Sequence, residues 1–286
     1  MRLPTYSVSE YLFLAAAVFS GLLAVAIFCF LFFFGLPLLQ SGQLVDLLFS
    51  SWAPDKGLYG IYPMLITSLT LATVSMLISF PVSLGCSFVI TSLAPVRLRR
   101  VLLAVIRVMT GIPTVVYSFA ALFLLVPLMR SLVGHGTGMS ILTAAPVLAL
   151  VIAPTMILFF VDSFSKVSSR FTLAVDALGG SEIQKLLYVI LPLAWPGIVN
   201  GVLLGFGRAM GDTMVSLMLA GNSTAAPESM TESARTLTAH IALVMAFDFD
   251  SMEFKSIFVC GLFLYILTAA LMLLFRMFTV YFSERT

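Results

Sequence analysis

The sequence predicts an all-α integral membrane protein with six spans, and three observations predict it. Hydrophobic residues make up 60% of the 286 and charged residues only 10%, where a water-soluble domain carries about a quarter. Six apolar segments reach the roughly 20 residues needed to cross a bilayer. The connections between them alternate in charge character. A mean hydropathy of +1.11 says the same of the chain as a whole.

The spans are expected at about 12–36, 62–92, 101–129, 141–161, 195–221 and 256–282, with boundaries good to about four residues. The uncharged run from Tyr11 to Leu39 is too long for a signal-peptide core, and no small-residue cleavage site follows it, so it reads as the first span. Arg97, Arg99 and Arg100, then Lys166, Arg170 and Lys185, with Arg2, Arg276 and Arg285 at the ends, put nine of the fifteen Lys and Arg on one side. Lys56, Arg130, Arg235 and Lys255 fall on the other, and Arg107 and Arg208 lie inside spans. Nine against four places both termini in the cytoplasm, and an even number of spans agrees.

The second span carries Ser75, Ser79, Ser83, Ser87 and Thr91 at four-residue spacing, around Pro81. Such a stripe lets another helix approach closely and bond across the gap; a polar pathway is the other reading. The long acidic connection from Asn222 to Lys255 contains Ser229 and Glu232 in capping-box spacing, then Ala234, Leu237, Ile241 and Val244 at helical spacing. It predicts an amphipathic helix that acts as a lid, a docking surface or a cover for the bundle. Cys29, Cys86 and Cys260 sit in apolar runs without metal-ligand spacing, and His135 and His240 stand alone in loops, so no metal site is expected.

The connection at 163–192 is the most informative. Phe171, Ala174, Val175 and Leu178 give a helix one apolar face, which Gly179 and Gly180 stop. Ser181 and Gln184 start a second helix whose apolar residues are Ile183, Leu186, Leu187 and Ile190, and Pro192 and Pro196 are expected to break or bend it. Two short helices at a glycine elbow make a knob that suits a groove on a soluble partner. A loop lying on the membrane surface is the alternative on physical grounds.

This elbow resembles the EAA loop of permease subunits of type I ABC importers: Glu-Ala-Ala, three residues, Gly, nine residues, Ile, one residue, Leu-Pro. Counted back from Leu191-Pro192, the glycine falls on Gly179, the isoleucine on Val189, and the Glu-Ala-Ala on Leu173, Ala174 and Val175, so the glutamate is absent. GIPTVVYSFAAL, with Gly111, Ile112 and Pro113, resembles the third-span motif of phosphate-specific (Pst) permeases. GRAMGDTMVSLMLAGN, from Gly207, resembles their GRAxGET segment with Asp212 in place of glutamate, and RTLTAHIAL, from Arg235, their outer loop. The likeness covers about residues 60–280, closer to the PstC than to the PstA branch.

The resemblance implies a six-helix, MetI-like bundle in the inner membrane with a cytoplasmic coupling helix. Ala174, Val175, Leu178, Gly179, Gly180, Ser181 and Ile183 would then contact an ATP-hydrolysing subunit. It also implies a second, PstA-like permease, two ATP-binding subunits that hold ATP and Mg, and an external phosphate-binding protein. This chain has no G-x-x-x-x-G-K-[ST] loop, so no cofactor and no ATPase activity of its own are expected. No Ser-His-Asp constellation points to an intramembrane hydrolase.

Arg208 and Asp212 are four residues apart in an apolar segment, and on one helix they could meet. A mid-membrane arginine costs about 2.5–3.5 kcal/mol on insertion scales, which calls for a reason. Three readings stand: a self-neutralising structural pair, an anion pathway in which Asp212 moderates Arg208, and a proton relay. The resemblance favours the second, with phosphate as the anion, and other oxyanions (molybdate, tungstate, sulfate) as the near alternative. A proton-coupled carrier is the more distant one. Arg107 is either a second cation on the route or a side chain that snorkels to the interface.

Overall fold

The computed structural model describes residues 8–40 and 48–283; Arg2 and Arg285, counted above in the charge asymmetry, lie outside them. Helix α1 (Val8–Gln40) is followed by a short antiparallel hairpin, β1 (Trp52–Ala53) and β2 (Leu58–Tyr59). Then come α2 (Tyr62–Phe88), α3 (Val96–Gly111), α4 (Thr114–Val133) and α5 (Ile141–Ser165). The elbow is α6 (Ser169–Ala177) and α7 (Glu182–Lys185), and α8 (Leu191–Gly211), α9 (Met214–Leu219), α10 (Leu237–Val244) and α11 (Met252–Ser283) complete the chain.

Among the described residues, six helical segments are long and apolar enough to cross a membrane: Ser9–Leu36, Tyr62–Leu93, Thr114–Val133, Ile141–Ser165, Glu182–Gly211 and Met252–Leu274. Two of the expected spans are corrected. The third begins at Thr114, not near 101, because Pro113 has no N–H to continue a helix and holds Ile112 in extended backbone, ψ 126°. Residues 96–111 form the separate amphipathic α3. The fifth runs from Glu182 to Gly211, not 195–221. A π turn at Leu186–Ile190 joins α7 to α8, and the helix runs on through Pro192 and Pro196, so neither breaks it.

Helix α5 is the centre of the bundle, with Leu148, Ile152, Met156 and Phe160 almost wholly buried. Two stripes of small residues clasp it. On α2, Ser83 Oγ donates to Ala153 O (3.4 Å) and Ser87 Oγ to Ile157 O (3.2 Å), while Ser79 reaches Met156 Sδ (3.7 Å). The hydroxyl stripe is thus a packing device, each cross-helix bond contributing about 0.6 kcal/mol. On α8, Gly197, Gly201 and Gly205 recur every four residues and lie against Ser163, Phe160 and Met156; a Cβ on Gly205 would come within 2.8 Å of Met156. Only glycine lets the backbones come this close.

Helix α1 stands at the edge, exposed along most of its length, and meets α11 through rings: Phe30 and Phe34 on Phe258 (centroids 5.8 and 5.2 Å) and Phe28 on Tyr265 (5.5 Å). In water such a helix would be an error; in lipid its apolar surface needs no cover.

The capping box expected at Ser229 and Glu232 does not start a helix. Glu232 Oε2 instead accepts from Glu228 N (2.8 Å), and Ala234 forms a β-bridge with Gly221. Helix α10 begins later, capped by Thr236, whose Oγ1 accepts from Ala239 N (3.2 Å). It is a buried cover, tied down by Leu237 N donating to Ser68 Oγ (2.9 Å). His240 is therefore not a loop residue: it is fully buried in α10, with Trp52 edge-on at 4.3 Å.

Candidate functional site

Two helical segments are interrupted inside the bundle, each for a reason written in three residues. Gly111-Ile112-Pro113 separates α3 from α4, and Pro113 (ψ 140°) points the chain into its new direction. The carbonyl of Met109, which takes the Ile112 N–H at the helix end (3.3 Å), also accepts from Tyr117 Oη at 3.1 Å. Gly211-Asp212-Thr213 separates α8 from α9. Asp212 is extended (φ −73°, ψ 122°), and its Oδ1 accepts from Val215 N at 2.8 Å, the bond of a side chain capping the next helix. A Cβ added to Gly111 or Gly211 would meet nothing within 4 Å, so both breaks open onto space that the described residues do not fill.

Arg208 lies one turn before the second break. Its Nη1 donates to Thr155 Oγ1 of α5 at 2.8 Å. Thr155 stands 14 residues from the start of α5 and 10 from its end, about 21 and 15 Å along the axis. The guanidinium is therefore held deep within the apolar thickness.

The expected meeting of Arg208 and Asp212 on one helix is corrected, because the helix ends at Gly211. Among the described residues the ion pairs are Lys166–Asp162, Lys185–Asp176 and Lys185–Glu182, so the self-neutralising pair is not formed. The Asp212 backbone carbonyl accepts instead from Ser216 Oγ (3.3 Å) and Thr238 Oγ1 (3.1 Å), and Thr236 Oγ1 donates to Ser216 Oγ (2.9 Å). A run of hydroxyls thus leads from the break to α10. At its far end Arg235 Nε is bonded to Asn222 O (2.9 Å), and burial lowers its pKa.

Arg107 is not in a span. It is an exposed residue of α3, which seats Ile106 against Ala153, Ile157 and Val161. Thr155 is two residues from that face, about 200° around the helix. Ile106, beside Arg107, and Thr155, the partner of Arg208, therefore mark different faces of α5.

The elbow forms as its spacing predicts. Leu178 ends α6, Gly179 takes φ +76°, and Gly180 N donates to Val175 O (2.9 Å). Ser181 and Gln184 complete a reciprocal capping box: Gln184 N donates to Ser181 Oγ (3.3 Å) and Ser181 N to Gln184 Oε1 (2.8 Å). Ala174 and Ser181 are exposed, Val175 and Gly180 half-buried, and Leu178 and Ile183 project at 88% and 64% exposure. The elbow thus leaves two large apolar side chains uncovered on an otherwise polar turn. The sequence reading missed Lys185, nine-tenths buried between Asp176 (2.7 Å) and Glu182 (2.8 Å); Glu182 three residues before it was the only local signal.

The family of binding-protein-dependent transport system inner membrane components matches residues 81–286. A probable ABC transporter permease protein, YqgH of Bacillus subtilis (strain 168), is 32% identical across 82% of this chain and 76% of its own length. The phosphate transport system permease protein PstC of Xylella fastidiosa (strain Temecula1) is 28% identical across 82% and 78%. Among solved structures, the inward-facing MetNI methionine ABC transporter is similar with a TM-score of 0.61 at 18% identity, over 76% of this chain and 93% of that one. A bacterial alginate ABC transporter in complex with its periplasmic protein gives 0.59 at 14% identity over 94% of both chains.

Proposed function

The chain belongs to the family of binding-protein-dependent transport system inner membrane components, and from that premise we propose that it is the permease of an ATP-driven phosphate importer, with Arg208 on the anion's route. As an ABC permease it is the membrane subunit and not the ATPase. The observation that carries the proposal is the bond from Arg208 to Thr155. It occupies one nitrogen of the guanidinium and fixes the plane, leaving the rest of the fork for an anion. Arginine binds oxyanions bidentately, and it does so most strongly where water is scarce.

Asp212 is held back from Arg208 by its bond to Val215 N, so it does not cancel the charge. In this reading its carboxylate, four residues along the chain from Arg208, weakens the hold on a passing anion and keeps it from being trapped. The several PstC relatives support phosphate as that anion. In this reading the elbow end faces the cytoplasm and Leu178, Gly179 and Ile183 dock on ATP-binding subunits that hold ATP and Mg. A second permease completes the pathway, and an external binding protein delivers the anion to the end that carries α10.

The test is reconstitution with ATP-binding subunits and a phosphate-binding protein. Radiolabelled phosphate uptake should require MgATP and resist competition by sulfate, molybdate and tungstate. Uptake displaced by one of those anions would reassign the substrate. Uptake that persists without the ATPase and collapses with an uncoupler would overturn the reading.

A further inference from the structure

Helix α6 buries none of its residues, so little apolar packing holds this arm of the elbow to the bundle. Across the elbow, Asp176 of α6 bonds Lys185 of α7 at 2.7 Å, the one ion pair among the described residues that joins the two arms. Lys185 also bonds Glu182 at 2.8 Å within its own arm, and its side chain is only 10% exposed. It lines a polar cavity of about 420 Å³ between the elbow and the ends of α2 and α3, with Thr91, Ser92 and Arg99 opposite. A buried ammonium with two carboxylates is electrostatically satisfied, and a cavity beside it leaves the elbow room to move as a unit.

The second arm is not a separate helix. From Glu182 through the π turn to Gly211 the chain is one continuous helical segment, and Arg208 lies 23 residues beyond Lys185, about 35 Å along the axis. A displacement of α6 reaches that segment through Asp176–Lys185, and the segment ends at Arg208. We propose that Lys185 is a positioning residue, the strut that makes a push on α6 into a movement of the helix that carries Arg208. The inference rests on the permease reading above and adds the element that transmits the force. Chains of polar contacts joined to a rigid helix are the physical form such coupling takes.

The test uses the assembled complex in proteoliposomes, with inorganic phosphate as probe, and measures phosphate moved per ATP hydrolysed beside abundance. Asp176→Asn removes the charge that ties the two arms together yet leaves Lys185 neutralised by Glu182. It should keep ATP hydrolysis and lower phosphate per ATP about tenfold, within the range of allosteric couplings. Glu182→Gln removes only the charge paired within one arm, leaves the tie between the arms, and should change the ratio by less than about twofold. Lys185→Arg, which keeps the charge and the bond, should stay near wild type. A merely structural trio predicts that Asp176→Asn and Glu182→Gln act alike. That result, or a D176N complex coupled as well as wild type, overturns the strut alone. A wild-type complex that moves no phosphate overturns the permease reading and the strut with it.

Discussion

Arg208 donates from Nη1 to Thr155 Oγ1 at 2.8 Å, and through that bond a cation on α8 is held by a hydroxyl on α5 and not by the carboxylate four residues along its own chain. A neutral partner fixes the position of the charge without consuming it. An ion pair would have cancelled much of the charge that an anion needs.

Replacing Arg208 by Gln should abolish phosphate uptake while the protein inserts at normal abundance. Thr155→Val, similar in shape but without the hydroxyl, should lower uptake by about tenfold or more, because a hydrogen bond to a charged group contributes about 1.5–3 kcal/mol. Radiolabelled uptake beside quantitative immunoblotting measures both. Normal uptake in Arg208→Gln would remove this residue from the pathway.

Asp212 offers a cleaner separation of roles. Asparagine can accept from Val215 N as aspartate does, so Asp212→Asn should keep its abundance and melting temperature while transport changes. Asp212→Ala loses the bond as well and should destabilise by about 1 kcal/mol. Equal loss of stability in the two variants would show that the charge, not the cap, supports the fold.

The glycines of α8 divide by what stands opposite them. Gly205→Val would push into Met156, and should cost about 1–3 kcal/mol, as overpacked cores do. Gly211→Ala meets nothing within 4 Å and should be tolerated. Thermal melting in detergent micelles compares them. A Gly205→Val protein that melts with wild type would dismiss the clasp around α5.

Burial pushes His240 down from 6.5 to about 3, with nearby Arg235 adding to the effect. Its Nδ1 has no partner, and its Nε2 meets Ser256 Oγ only at 3.5 Å. Below pH 6.5 the unfolded chain takes up a proton here that the folded one refuses, so stability falls with acidification between about 6.5 and 3, by at most about 1.4 kcal/mol per pH unit. Melting temperatures measured from pH 7 to 4 should decline less steeply in His240→Phe. An unchanged slope would show that other groups set the acid response.

Much of this was legible along the chain. The elbow was, because Gly179, the Ser181–Gln184 box and the apolar residues around them are local signals, and local hydrogen bonds decide them. The breaks at Pro113 and Asp212 were present in the letters but outweighed by hydropathy, which counts oily residues across a kink as readily as along a helix. The Gly197, Gly201, Gly205 stripe was equally visible, and went unread because glycine spacing acquires meaning only when a facing helix is known.

Composition and periodicity decided that the chain lives in lipid, crosses it six times and carries an apolar elbow, since transfer energies and helix caps depend on residues close together in sequence. Which group Arg208 would bond, that Asp212 would cap a new helix, and that Lys185 would tie two arms together depended on residues brought near one another by packing. A charge in a bundle takes whichever polar partner the fold delivers to it, and spacing along the chain measures reach but not arrival.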